Sequence, residues 1–324
     1  MPTSLFPDTR PAPGAMVWAD GVLYQSGAVV PGVGQSIVST PANGGSVTTL
    51  VPGAWANGIW VEGGNVLYAH TDQLTQVPVT GGNPTTILDG GQTAAAAASD
   101  TYFGASLLDP SWFYWATSNF TAVSQLWRMP RAGGAPEAFA PLPLESVSNL
   151  VVVSDGVLVE GSQPLGGGTW NALVAPFGGG NPRPLDPIGY EFVSVDSGGA
   201  VWTAFTGAPD ALDETFEVRI SPIDGSPATL LSPELPIGFA ADWGSPDGQG
   251  GRYLTGIEIF DDLLIHREVF LVGADGSATR LACNPSNDVT FLGAGAVSPD
   301  ALYLTVNDSN TNDWTTVKIP RLAP

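Results

Sequence analysis

The sequence predicts an all-β fold, a seven-bladed β-propeller of four-stranded antiparallel blades. Three observations carry that expectation: a hairpin unit recurs seven times, the intervals between copies consume the whole chain, and the register runs on from the last residue into the first. The clearest copy, residues 74–88, reads LTQVPVTGGNPTTIL, with alternating β-branched and polar residues on both sides of Thr80-Gly81-Gly82-Asn83. Period-two alternation interrupted by a Gly-Gly turn is the sequence form of a β-hairpin.

Counted from the residue that opens the turn, the unit stands at Pro41, Pro78, Pro130, Pro176, Pro222, Gly273 and Pro320, at spacings of 37, 52, 46, 46, 51 and 47 residues. Periods of this size, each holding several short strands, belong to propellers and related repeat arrays. Joining Pro324 to Met1 superposes PRLAP-MPTSLFP without a gap on PANGG-SVTTLVP, residues 41–52. The last interval is then 45, and the seven intervals use all 324 residues. A strand at residues 3–7 completing the C-terminal blade closes a ring and removes two exposed sheet edges, whereas an open array gains nothing from such a register. A single domain over residues 1–324 is expected.

Each copy opens on an apolar segment that ends at an acidic turn. The acids are Asp20, Glu62, Asp100, Asp155, Asp196, Asp247 and Asp300, read as turn formers because Asp accepts hydrogen bonds from amides just beyond it. Small-residue runs at 94–98, 240–241 and 293–296 are assigned to innermost strands, where only small side chains fit around the axis. The alanine run at 94–98 reads locally as helix, and the repeat overrides that reading, with residues 95–100 as first strand and TYFGA after them as second. Third strands are expected at residues 35–40, 74–77, 125–129, 172–175, 217–221, 268–272 and 315–319. Fourth strands are expected at 47–51, 85–88, 137–140, 182–185, 228–231, 278–282 and 3–6.

Composition bounds the function. Hydrophobic residues make up 43% of the chain, with 10 Trp, 13 Phe and 7 Tyr, enough for a packed core. No apolar run reaches the roughly 18 residues that read as a membrane span. The 41 Gly and 29 Pro sit at regular turn positions and punctuate strands. Lys318 is the sole lysine and the formal net charge is -21, a field that repels a phosphate backbone and excludes nucleic acid. Cations, basic peptides and neutral sugars are admitted, so the partner is a small molecule, a glycan or a protein, bound by a monomer. Cys283 stands alone, which rules out an intrachain disulfide and a multi-cysteine metal site. The N-terminus MPTSLFPDTR has neither a charged n-region nor an apolar h-region. It reads as a mature domain whose export signal has been removed, hence periplasmic, cell-surface or secreted; the alternative is cytoplasmic.

Function in this architecture belongs to the loops of variable length between second and third strands, and to the fourth-to-first connections, which share one face. Trp55, Phe120, Trp170, Tyr190 and Trp243, together with Phe239, are expected on or near that face, where flat rings beside acids suit sugars or cationic ligands. Others of the aromatics must wedge between blades. His70 and Asp72 lie in one short loop, and a His oriented by an Asp is a candidate general base; His266 is the second histidine. Asp308, Asn310, Asn312 and Asp313 place oxygen side chains close together in a tight loop that calcium could occupy, although Asn and Asp also favour plain turns and an EF-hand's central Gly and terminal Glu are missing. No G-x-S-x-G elbow and no phosphate cradle is present.

Residues Trp112-Phe113-Tyr114-Trp115-Ala116-Thr117, followed by Leu126-Trp127-Arg128-Met129-Pro130-Arg131-Ala132-Gly133-Gly134-Ala135-Pro136, resemble a repeat of bacterial extracytoplasmic propellers of the virginiamycin B lyase-like and NHL-like types. Ser298-Pro299-Asp300-Ala301-Leu302-Tyr303 resembles a TolB-type repeat. The resemblance implies the propeller fold, and its lyase members imply a catalytic His with a divalent metal; neither histidine here stands in such a motif. The first expectation is a non-enzymatic propeller that binds a ligand or protein through its loop-rich face. The alternatives are a metal-dependent lyase using His70, Asp72 or His266, and a structural module of a surface assembly.

Overall fold

The computed structural model describes residues 15–30, 32–70, 72–90, 102–118, 123–162, 170–185, 192–196, 199–205, 216–236, 239–259, 265–284, 289–308 and 313–321. They form 27 strands in seven antiparallel sheets. Blade 1 holds β1 (Met16–Ala19), β2 (Val22–Val30), β3 (Gly34–Pro41) and β4 (Thr48–Pro52). Blade 2 holds β5 (Gly58–Glu62), β6 (Asn65–His70), β7 (Gln73–Pro78) and β8 (Thr85–Asp89). Blade 3 holds β9 (Tyr102–Leu108), β10 (Trp112–Ser118), β11 (Ser124–Pro130) and β12 (Glu137–Leu142). Blade 4 holds β13 (Ser146–Val153), β14 (Gly156–Ser162), β15 (Trp170–Pro176) and β16 (Arg183–Pro184). Blade 5 holds β17 (Phe192–Asp196), β18 (Gly199–Phe205), β19 (Phe216–Pro222) and β20 (Thr229–Leu230). Blade 6 holds β21 (Phe239–Pro246), β22 (Arg252–Ile259), β23 (Ile265–Val272) and β24 (Ala278–Asn284). Blade 7 holds β25 (Val289–Ser298), β26 (Ala301–Asp308) and β27 (Asp313–Pro320). The strand expected to complete it, residues 3–7, lies outside the described residues.

First strands touch in cyclic order, β1 to β5, β5 to β9 and onward to β25, and β25 touches β1. The chain is a closed ring of seven blades, a β-propeller. Its core is divided among the seams. Seven buried clusters are found among the described residues, one between each pair of adjacent blades; Leu67, Leu74, Phe113, Trp115 and Met129, for example, join blades 2 and 3, and Leu23, Val38, Ala296 and Tyr303 join blade 1 to blade 7. Strand alternation sends successive side chains to opposite seams, so each second strand is buried on both faces.

The recurrent turn has a plain cause. In Pro78-Val79-Thr80-Gly81 the Gly81 amide donates to the Pro78 carbonyl at 2.8 Å, and Gly81 and Gly82 sit at φ of +83° and +143°, a path that favours glycine. The same bond closes the copies at Pro41, Pro130, Pro176, Pro222 and Gly273. In blades 1, 2, 3, 4 and 7 the residue that follows the third strand packs beside the first-to-second turn: Ala42 donates to Gly21 O, Val79 to Gly64 O, Arg131 to Ser111 O, Phe177 to Asp155 O and Arg321 to Asp300 O. These turns make one face of the ring, the turn face. The second-to-third loops and the blade-to-blade connections make the other, the loop face.

Blade 3 departs from expectation. Its innermost strand is β9, which contains Tyr102 to Ala105 of the segment assigned from sequence to the second position, and residues 94–100 lie outside the described residues. The turn acid of this blade is Asp109 and not Asp100, because Asp109 Oδ1 accepts from the amides of Ser111 and Trp112, each at 2.6 Å. Gly104 explains why β9 reaches the crowded axis: a Cβ there would stand 2.3 Å from the Val147 carbonyl oxygen of β13.

Candidate functional site

On the loop face, residues 53–57 carry the chain from β4 of blade 1 into β5 of blade 2, and this connection is pinned on both sides. Ser26 Oγ donates to the Ala56 carbonyl at 3.0 Å and accepts from the Ala56 amide at 2.8 Å, both buried. The Asn57 amide donates to Ala69 O at 2.9 Å, and Asn57 Nδ2 donates to Gly104 O of blade 3 at 2.7 Å. Between these anchors stands Trp55, 42% exposed. Its ring meets His70, exposed at the end of β6, at a centroid distance of 6.3 Å with the planes 87° apart. The two rings form a right-angled corner open to solvent.

The corner continues along the upper edge of blade 2. His70 pairs with Gln73 across β6 and β7, and Gln73 pairs with Asp89 across β7 and β8. Gln73 Nε2 donates to Asp89 Oδ2 at 3.3 Å. Asp72, two residues beyond His70, is 3% exposed. Its carboxylate is packed beneath Gly90, where a Cβ would come within 2.8 Å of Oδ2, and the Gly90 amide donates to the Asp72 carbonyl at 3.0 Å. Asp72 is therefore turned into the blade, while the His70 ring faces solvent beside Trp55.

The remaining sequence-named residues divide into two sets. Trp243 is half-buried in β21 and packs in the seam between blades 6 and 7; a Cβ on Gly295 of β25 would lie 2.5 Å from its ring. Phe239 is 1% exposed and stacks edge-on with Phe270 at 4.9 Å. Phe120, Tyr190, Asn310 and Asn312 lie outside the described residues, as do the side chains of Trp170, His266, Asp308 and Asp313. The backbones of this last set are placed: Trp170 pairs with Ser162, His266 with Glu258, and Asp308 with Asp313 at the loop-face end of β26 and β27. Among the described residues no three His, Cys, Asp or Glu side chains gather as a metal would require.

Sequence reasoning missed Glu160, and the repeat held the signal. Counting four residues on from the first residue of each second strand, or from Gly251 in blade 6, gives Ser26, Ala69, Ala116, Glu160, Thr203, Thr255 and Thr305, all buried and directed toward the following blade. Thr203 Oγ1 uses this position to donate to the Ala241 carbonyl of the next blade at 2.8 Å. Glu160 alone places a carboxyl there, 4% exposed, and accepts from Ser148 Oγ of β13 at 3.0 Å. Burial pushes its carboxyl up to about 7, opposed by the Ser148 hydrogen bond.

No family model matches the chain, and no curated protein matches it. Among solved structures, a puromycin hydrolase is similar over 97% of this chain and 54% of its own length, at 13% identity and a TM-score of 0.59. YCF48 bound to D1 peptide is similar over 100% of this chain and 97% of its own, at 13% identity and 0.57. The AfRom2 CNH domain is similar over 100% and 98%, at 9% identity and 0.51. These likenesses show the fold. The chain spans about half the length of the puromycin hydrolase.

Proposed function

We propose that the chain is a non-enzymatic binding propeller that receives its ligand on the loop face, at the Trp55–His70 corner. The observation that carries this reading is an exposed tryptophan on a connection held by hydrogen bonds to three blades. Exposing a large apolar ring is unfavourable, and holding it rigid removes the ordering cost a ligand would otherwise meet, which is how a binding anchor is built. Other tryptophans of the fold, Trp115 and Trp202 among them, are fully buried in seams. Glycan and peptide arrays probed with the native protein and with Trp55→Ala test the reading. Signals lost at least tenfold in the variant, with its unfolding midpoint unchanged, support it; identical array profiles sink it.

Metal-dependent lyase chemistry is the second reading, carried by the solvent-facing His70 alone, since Asp72 is turned into the blade. It requires a measurable turnover that His70→Ala abolishes with the unfolding midpoint unchanged.

A further inference from the structure

We infer that the group received at the Trp55–His70 corner is an organic cation, the ammonium or guanidinium of a basic peptide side chain; the inference rests on the binding reading above and names its ligand class. Three observations converge on it. The first is shape. The exposed Trp55 ring, met edge-to-face by the His70 ring at 87° and a centroid distance of 6.3 Å, offers an ammonium or guanidinium a π face held in a fixed orientation. Tryptophan is the best aromatic partner for a cation.

The second is charge. Among the described residues, carboxylates on the turn face and strand bodies engage Arg128 (Glu137), Arg131 (Glu62), Arg183 (Asp155), Arg219 (Glu217), Arg280 (Glu268), Lys318 (Asp300) and Arg321 (Asp247). These pairs are internal to the blades or join neighbouring ones. The chain as a whole carries a net charge of -21, a field that attracts cations. Asp89, two strands along the same edge from His70, stands roughly 10 Å away by strand spacing, about one Debye length at physiological salt.

The third is precedent within the chain itself. Arg128 lies over the Trp112 ring at 4.3 Å and the Phe139 ring at 4.5 Å, beside the carboxylate of Glu137. The fold thus already holds a guanidinium against two rings with an acid at its side, and the corner presents an exposed tryptophan ring beside a second aromatic ring.

Isosteric pairs make the test. The intact protein, labelled at its tryptophan indoles, is titrated by NMR with N-acetyl-lysine methylamide against its norleucine counterpart, and with N-acetyl-arginine methylamide against its citrulline counterpart. The Trp55 resonance, assigned by its loss in Trp55→Leu, is expected to shift at least tenfold more strongly with the cationic member of each pair. The shift is expected to weaken as salt rises, to vanish in Trp55→Leu and to persist in part in Trp55→Phe. Equal shifts within each pair overturn the inference. Trp55-dependent binding of neutral saccharides with no response to cations overturns the ligand class but keeps the binding site; no Trp55-dependent response to either class removes both.

Discussion

Glu160 sets a pH dependence that can be read from one side chain. Its folded value of about 7 lies above the ordinary value of 4.5, so between those limits the folded chain holds a proton that the unfolded chain has released. Stability is then greatest below about pH 4.5 as far as this group is concerned, and falls as pH rises through 7. A difference of this size corresponds to about 3 kcal/mol. Glu160→Gln keeps the size and an acceptor for Ser148 but cannot ionise. The variant is expected to match the parent near pH 4 and to exceed its stability by up to about 3 kcal/mol at pH 8, measured by urea unfolding across that range. A constant difference at every pH would show that Glu160 does not titrate in the seam. At the other extreme of exposure, Trp55→Ala is expected to alter stability by less than about 0.5 kcal/mol.

At the scale of the elements, seams and turns respond differently to single changes. Gly104→Ala forces a Cβ to 2.3 Å from the backbone oxygen of Val147, and two inner strands must separate. The expected cost is at least about 2 kcal/mol, in line with overpacked cores, whereas Gly178→Ala, with nothing within 4 Å, is expected to cost little by the same chemical denaturation. The arginines that staple blades on the turn face also differ. Arg321 donates to Asp247 Oδ2 at 2.6 Å and joins blade 7 to blade 6, and the Asp247 side chain is 2% exposed. Its other oxygen already accepts from the Gln249 and Gly251 amides. Arg321→Ala leaves that carboxylate buried without its cation and is expected to cost about 3 kcal/mol. Arg131→Ala releases Glu62, which is 56% exposed, and is expected to cost at most about 1 kcal/mol. If the two variants lose stability equally, burial does not govern these staples.

The strand order of the blades was legible because the alternation, the acidic turn and the Pro-x-x-Gly turn are local signals. Third strands in particular match expectation, since the turn that ends them is written in the residues themselves. Blade 3 misled because two acids, Asp100 and Asp109, stand nearly a strand's length apart. Only the amides of Ser111 and Trp112, folded back onto Asp109, decide which one makes the turn.

At the scale of the molecule, the charge of -21 makes the ring repel itself. Salt shortens the Debye length from about 30 Å at 0.01 M to about 3 Å at 1 M, so the unfolding midpoint is expected to rise with sodium chloride; a fall would mean that the turn-face ion pairs outweigh the repulsion. The end of the β26–β27 hairpin is tested in the same assay. If Asp308, Asn310, Asn312 and Asp313 hold calcium, the midpoint rises with Ca²⁺ and falls with chelator by mass action, and identical midpoints assign those residues to a turn. By itself the sequence determined the number of blades, the hairpin turns and the placing of the repeat around the ring, because these depend on short-range periodicity and on the recurrence of the turn. Only the tertiary structure decided that Trp55 faces solvent while Trp243 fills a seam, that Asp72 turns inward while His70 turns out, and that Glu160 is enclosed. The reason is physical: a side chain's burial is set by the neighbouring blade, whose residues lie some 50 positions away in a seam that no local pattern describes.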